Sequence, residues 1–394
     1  MRHTTTTPIG PAVVLTIIGG IVRTGVRRSR RCTVHAAACL ASLALLAAGC
    51  SGPSTAIEEP TIPVSERQRT AYEQARTAGG EIRIFVGTAS NEEIDYLLED
   101  FSAAFPGLTV QYISGTANSV VERFLTERRA GLDNVDVLLL PGVSAFERIV
   151  DEHLLREHEP EEWTQFPDEP GTRLGRYAHA FANNYNSVCY NPENITPAER
   201  KLLDSYEGWT SPVWRDRAAL VDPTGFGYRY GLTYWTYQDP GLGEPWLTDL
   251  ATNVRPTVFN GGSVPAAQVI AGEYDVVFNL GDVFGVRAQR TGAPLQCTSG
   301  EYAPYYVWSS ALSSDAPNPA GGEVFVDWLF SEHGQLALQE SLAYSGRRAG
   351  LPPVVDAEWW DFRDDPRLID EQLVRRNQSA LVDTVDRLFG GAVE

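Results

Sequence analysis

The sequence predicts an α/β protein built as two doubly wound lobes. Three observations carry that expectation. Strand-length apolar runs alternate with amphipathic, helix-period stretches three times between residues 81 and 155. A second set of strands and helices runs from residue 185 to 302. The length, 394 residues, is enough for two cores.

The N-terminus comes first. "RRSRR" (27–31) precedes "AAACLASLALLAAG" (36–49), an apolar stretch short for a membrane span. It ends at Cys50 after small residues, with Ala47 and Leu46 on its approach, and resembles a bacterial lipobox. We therefore expect a signal peptide over 1–49 and a lipoprotein acylated (palmitate) at Cys50. That anchors it to the cell membrane on the extracytoplasmic face. An ordinary secretory signal is the other reading. A second apolar run, "IGPAVVLTIIGGIV" (9–22), is explained most simply by a start codon assigned too early, with residues 1–25 outside the true protein. Residues 50–80, rich in Ser, Pro and Glu at their start, read as a flexible tether.

The net charge is −19, and removing 1–49, with six arginines and no acid, leaves −25. An acidic body without a basic stripe argues against nucleic acid, which is bound by neutralising phosphates. We expect a monomer. Of five cysteines, Cys189 and Cys297 remain in the exported body beyond the anchor. They can form a disulfide in an oxidising compartment or stay as two buried thiols.

"EIRIFV" (81–86) is a strand, and the helix after it opens with Ser90 and Glu93 in capping-box spacing. "LTVQYI" (108–113) and "VDVLLL" (135–140) are further strands, the last apolar throughout, as a strand buried on both faces should be. Helices are expected over 114–131, with Ser119 and Glu122 as caps, and over 143–155. In such sheets ligands sit beyond the carboxyl ends of the strands. That singles out "GTAS" with Thr88, Ala89 and Ser90, "SGTAN" with Ser114, Gly115 and Thr116, and "PGV" (141–143). The same small residues also make good turns and caps. Residues 185–191, 218–222 and 275–280 supply strands of the second lobe. A return strand and a long helix follow at 305–342, then amphipathic helices over the last fifty residues.

Enzyme signatures fail. "DPTGFGYRYG" (222–231) lacks the lysine and Ser/Thr of a phosphate loop, and there is no G-x-S-x-G elbow or HExxH. We expect no enzyme activity, no cofactor and no resident metal.

The order of "IFVGTASNEEIDYLLEDF", "VDVLL", "NSVCYN", "WTSPVWRDRAALVDPTG", "VIAGEYDVVF" and "NPAGGEVFVDWLFSEHGQ" resembles the type II solute-binding proteins of ATP-binding-cassette importers, especially the ferric-iron-binding branch. The resemblance spans residues 81–350. It implies two lobes joined by two crossing segments, 81–184 with 303–394 as lobe one and 185–302 as lobe two. It also implies a small solute in the cleft, and permease and ATPase partners. The branch's metal ligands fall on Ala89, near Pro141, and on Asp282-Val283, so its histidine, glutamate and tyrosines are missing. Tyr305-Tyr306 lies in the wrong segment. His153, His158, His179 and His333 read as surface or capping residues.

The resemblance places a backbone-amide anion loop at "DPTGFG", with Thr224 and Gly225, and another at "NGGSV", with Gly262 and Ser263. Arg229 would neutralise charge, and Tyr228 and Tyr230 would line or cap the site; core packing is the other reading of those tyrosines. Asp282 is also expected to line the site, and the expected solute is a phosphonate, phosphate ester or carboxylate. Alternatives are an iron carrier with non-standard ligands and a sensory or adhesion lipoprotein on the same fold.

Overall fold

The computed structural model describes residues 58–87, 91–224, 227–342, 345–352 and 365–390. Cys50 and the leader lie outside them. Thirteen strands are described: β1 (Glu81–Gly87), β2 (Thr109–Gly115), β3 (Val137–Pro141), β4 (Leu155–Arg156), β5 (Arg173–Leu174), β6 (Ala178–Tyr190) and β7 (Ala218–Val221). β8 (Thr257–Phe259), β9 (Val276–Gly281), β10 (Gln296–Thr298), β11 (Ala303–Ser313), β12 (Ser345–Gly346) and β13 (Pro366–Leu368) complete them. The main path runs β2-β1-β3-β11-β6-β9-β7-β8.

Lobe one forms around β1, which pairs in parallel with β2 and β3; Ile84 lies opposite Tyr112 on one side and Val137 on the other. Alternate β1 residues face opposite sides. Ile82, Ile84 and Val86 enter a core with Leu97, Phe101, Phe325 and Trp328. Phe85 turns the other way, to Val120, Phe124, Leu138 and Phe146. Helices must therefore cover both faces, and helices Asn91–Ala104 and Ala117–Arg129 supply them. Lobe two repeats the plan with β7 between β8 and β9, all parallel.

β6 joins the two. Residues 178–185 pair with β11, and residues 186–190 pair with β9. The short strand expected at 185–191 is thus the far end of a thirteen-residue strand. Cys189 and Cys297 face each other across β6 and β10 and are joined as a disulfide.

Four local expectations are corrected. Within the tether, residues Glu66–Thr77 form a helix capped by Ser65, which accepts from the Gln68 amide. Its Ala71, Tyr72 and Ala75 are buried in the lobe-one core, and Arg67 pairs with Asp327 at 2.9 Å. The helix expected over 143–155 is a 3₁₀ turn, Ser144–Phe146, and one short helix, Glu147–Asp151. The long helix after the return strand divides at Ser331, whose ψ of 162° breaks the helical path. His179 is buried (2% exposed) rather than at the surface, packed between Trp163 and Phe330.

Candidate functional site

Parallel pairing brings the carboxyl ends of β1, β2 and β3 together, with Gly87 opposite Gly115 and Val86 opposite Leu139. Thr88, Ala89 and Ser90 lie outside the described residues. Gly115 packs tightly, since a Cβ there would lie 2.8 Å from Ser119 Oγ. Thr116, not Ser119, caps the helix: its hydroxyl accepts from the Ser119 amide at 3.3 Å and donates to Ser119 Oγ at 3.1 Å. Ser114 is half-buried and Thr116 exposed.

In lobe two the opening of "DPTGFGYRYG" closes on itself. The Thr224 amide donates to Asp222 Oδ1 at 2.8 Å, and its hydroxyl to the same oxygen at 2.7 Å. This is an Asx turn, in which a short carboxylate bonds the backbone two residues on. The expected anion contact at Thr224 is therefore already made by a carboxylate of the same loop. Gly225 and the Tyr228 side chain lie outside the described residues. Arg229 does not point at an isolated charge; its Nη1 donates to the Asn260 carbonyl at 2.8 Å, tying the β7 and β8 loops together.

Gly231 explains the last glycine of the motif. A Cβ there would lie 2.1 Å from Asn186 Cγ. Asn186 Nδ2 in turn donates to Asn279 Oδ1 at 2.8 Å, and Asn279 Nδ2 donates to the Val221 and Arg229 carbonyls. A buried amide ladder thus seats the motif on β6 and β9. Gly262 is buried at the start of helix Ser263–Ala271, and Ser263 is exposed. Asp282, expected at the ligand, is fully buried and accepts from the Tyr185 amide at 3.1 Å. It braces the crossing strand.

An acid that the sequence did not single out reaches the end of β3. Helix Glu371–Phe389 brings the Glu371 carboxylate onto the turn after β3, where Oε2 accepts from the Ser144 amide at 3.0 Å. Burial pushes Glu371 up to about 7, aided by Glu147; the Ser144 contact and Arg375 oppose the rise. From lobe two, Tyr230 senses this charge. Its hydroxyl is held above the ordinary phenol range by burial first and by Glu371 second. Beside the carboxylate lies a cavity of about 380 Å³, bounded by Ser144, Pro170, Leu368 and Gln372 among others. Among the described residues no three His, Cys, Asp or Glu side chains gather as a metal site. No described helix is long and apolar enough to cross a membrane.

The chain matches no protein-family model and no curated protein. Solved structures do match. Iron-bound HitA from Pseudomonas aeruginosa superposes with a TM-score of 0.63 at 19% identity, covering 78% of this chain and 99% of its own. The fold is that of the type II periplasmic binding proteins. The substrate-binding protein of an ABC transporter from Agrobacterium tumefaciens gives 0.63 at 13% identity, covering 78% of this chain and 96% of its own. AfuA from Actinobacillus pleuropneumoniae, with fructose-6-phosphate bound, gives 0.59 at 16%, covering 79% and 99%.

In this binding-protein fold, the facing loops of the two lobes are the ones just described. The structure brings Ser114, Gly115 and Thr116 to the lobe-one edge. It brings Thr224, Arg229 and Gly262 to the corresponding loops of lobe two. It withdraws Asp282 against Tyr185 of β6 and turns Thr224 toward Asp222. Tyr230 of lobe two lies within electrostatic reach of Glu371, and no local sequence pattern announces their approach.

Proposed function

We propose that this chain captures a small solute between its lobes and hands it to the permease and ATPase of an ABC importer, without enzymatic turnover. In this reading it works outside the plasma membrane, lipid-anchored through Cys50. The fold supports the first part: strand ends from two α/β lobes face each other across the crossing strand β6. HitA is iron-bound and AfuA carries fructose-6-phosphate in their own structures.

We further propose a solute bearing a carboxylate, phosphonate or phosphate ester. One observation carries this: the turn after β3 already seats a carboxylate, that of Glu371, on a main-chain amide. Charge-assisted bonds of this kind are about twice as strong as neutral ones. Lobe two contributes less to anion binding than the sequence suggested, because Asp222 satisfies the Thr224 amide.

A thermal-shift screen of the exported body with phosphonates, phosphate esters, carboxylates and ferric chelates tests the reading. Saturable stabilisation by one oxyanion class is expected, about 2.7 kcal/mol at a hundredfold excess over Kd. Stabilisation by ferric chelates alone, or by none of the four, overturns it.

A further inference from the structure

We propose that Glu371 is a tethered competitor for the anionic group of the solute, so that solute binding requires the start of the C-terminal helix to lift from the turn after β3. The inference rests on the cleft reading above and adds a regulator to it.

Three observations support it. The carboxylate is seated on a main-chain amide: Oε2 lies 3.0 Å from the Ser144 amide, just past the carboxyl end of a lobe-one strand. The chain leaves room for it, because Gly142 holds a φ of +77° and a Cβ there would lie 1.7 Å from Glu371 Oε1. Any side chain at 142 would thus be strained and would expel the carboxylate. The third observation is that the segment carrying Glu371 is fixed to both lobes.

β13 runs parallel to β11, with Pro304 opposite Arg367. On lobe one, Arg375 pairs with Glu147 at 2.8 Å. On lobe two, the Asp370 amide donates to Gln238 Oε1 at 3.0 Å, and the Arg367 guanidinium lies 4.0 Å from the Tyr302 ring centre. Farther along, Arg387 pairs with Glu244.

These fixings differ in strength along the helix. Val374, Leu381 and Val385 are buried and hold its body. The first turn is held by polar contacts and by the half-exposed Arg375–Glu147 pair, which solvent screens and leaves weak. Exchange of the Glu371 carboxylate for a free anion replaces one charge-assisted bond with another and leaves the apolar stripe in place. The neighbouring cavity of about 380 Å³ gives the rest of a small solute somewhere to lie.

Hydrogen exchange of the segment 142–146 in the exported body tests this, with inorganic phosphate and acetate as probes. Glu371→Ala should speed exchange at Ser144 without a probe. It should also lower the probe concentration that restores protection at least tenfold relative to wild type. Glu371→Gln keeps the side-chain shape and removes the charge, so it should shift the same way by less; it carries the test should the alanine variant not fold. Equal probe concentrations in wild type and variants overturn the competitor and leave the anion site standing. Failure of both probes to protect 142–146 in any protein overturns both.

Discussion

Tyr185 and Asp282 exchange two hydrogen bonds: the Tyr185 amide donates to Asp282 Oδ1 at 3.1 Å, and the Asp282 amide donates to the Tyr185 carbonyl at 3.0 Å. The pair sits where β6 leaves one set of partners for the other. Asp282→Ala would leave a buried amide without its acceptor, at a cost of about 1–3 kcal/mol. Asp282→Asn retains an acceptor oxygen and should restore most of that stability. Denaturant melts of both variants check this. Equal losses in the two would return Asp282 to a role through its charge.

His179 sets a pH dependence. Its folded pKa is lowered to about 4 from 6.5, chiefly by burial, with the neighbouring His158, Arg173 and Arg176 charges adding to the effect. Between those values the unfolded chain takes up a proton that the folded chain refuses. The stabilisation is therefore complete above pH 6.5 and is lost as pH falls toward 4. His179→Phe fits the same aromatic surroundings of Trp163 and Phe330 and cannot titrate. Its stability relative to wild type should rise by about 2–3 kcal/mol between pH 7 and pH 4.5. A constant difference across that range would refute the assignment. Wild type alone is a poor guide, because Asp136, raised to about 6 mainly by burial, has the opposite slope.

The Cys189–Cys297 bridge closes a separation of 108 residues that contains most of lobe two. Replacing both cysteines by alanine should cost about 2–5 kcal/mol, largely by freeing the unfolded chain. Both residues are fully buried. Dithiothreitol should therefore leave the folded protein intact for as long as it stays folded, measured by thiol labelling. Rapid reduction under native conditions would contradict that.

The architecture was legible because its signals are local. β3 read as a buried strand from its apolar run alone, and it is buried throughout; β1 read as a strand and is one, with Arg83 exposed within it. Two misses had signals that were available. Ser65 and Gln68 stand at capping-box spacing ahead of Ala71, Tyr72 and Ala75, yet the polar composition around them suggested a tether. Asp222, two residues before Thr224, announces an Asx turn. Glu371 had no such signal. It lies 227 residues from Ser144, and only the packing of the C-terminal helix brings them together. Long-range placement of a single charged side chain leaves no periodicity to read.

β6 has a mechanical consequence. One unbroken strand serves both lobes, changing partners between Tyr185 and Asn186. The two lobes thus share one hydrogen-bonded ribbon, so a change in the angle between them would have to be taken up as bend and twist in the few residues around the Tyr185–Asn186 handover.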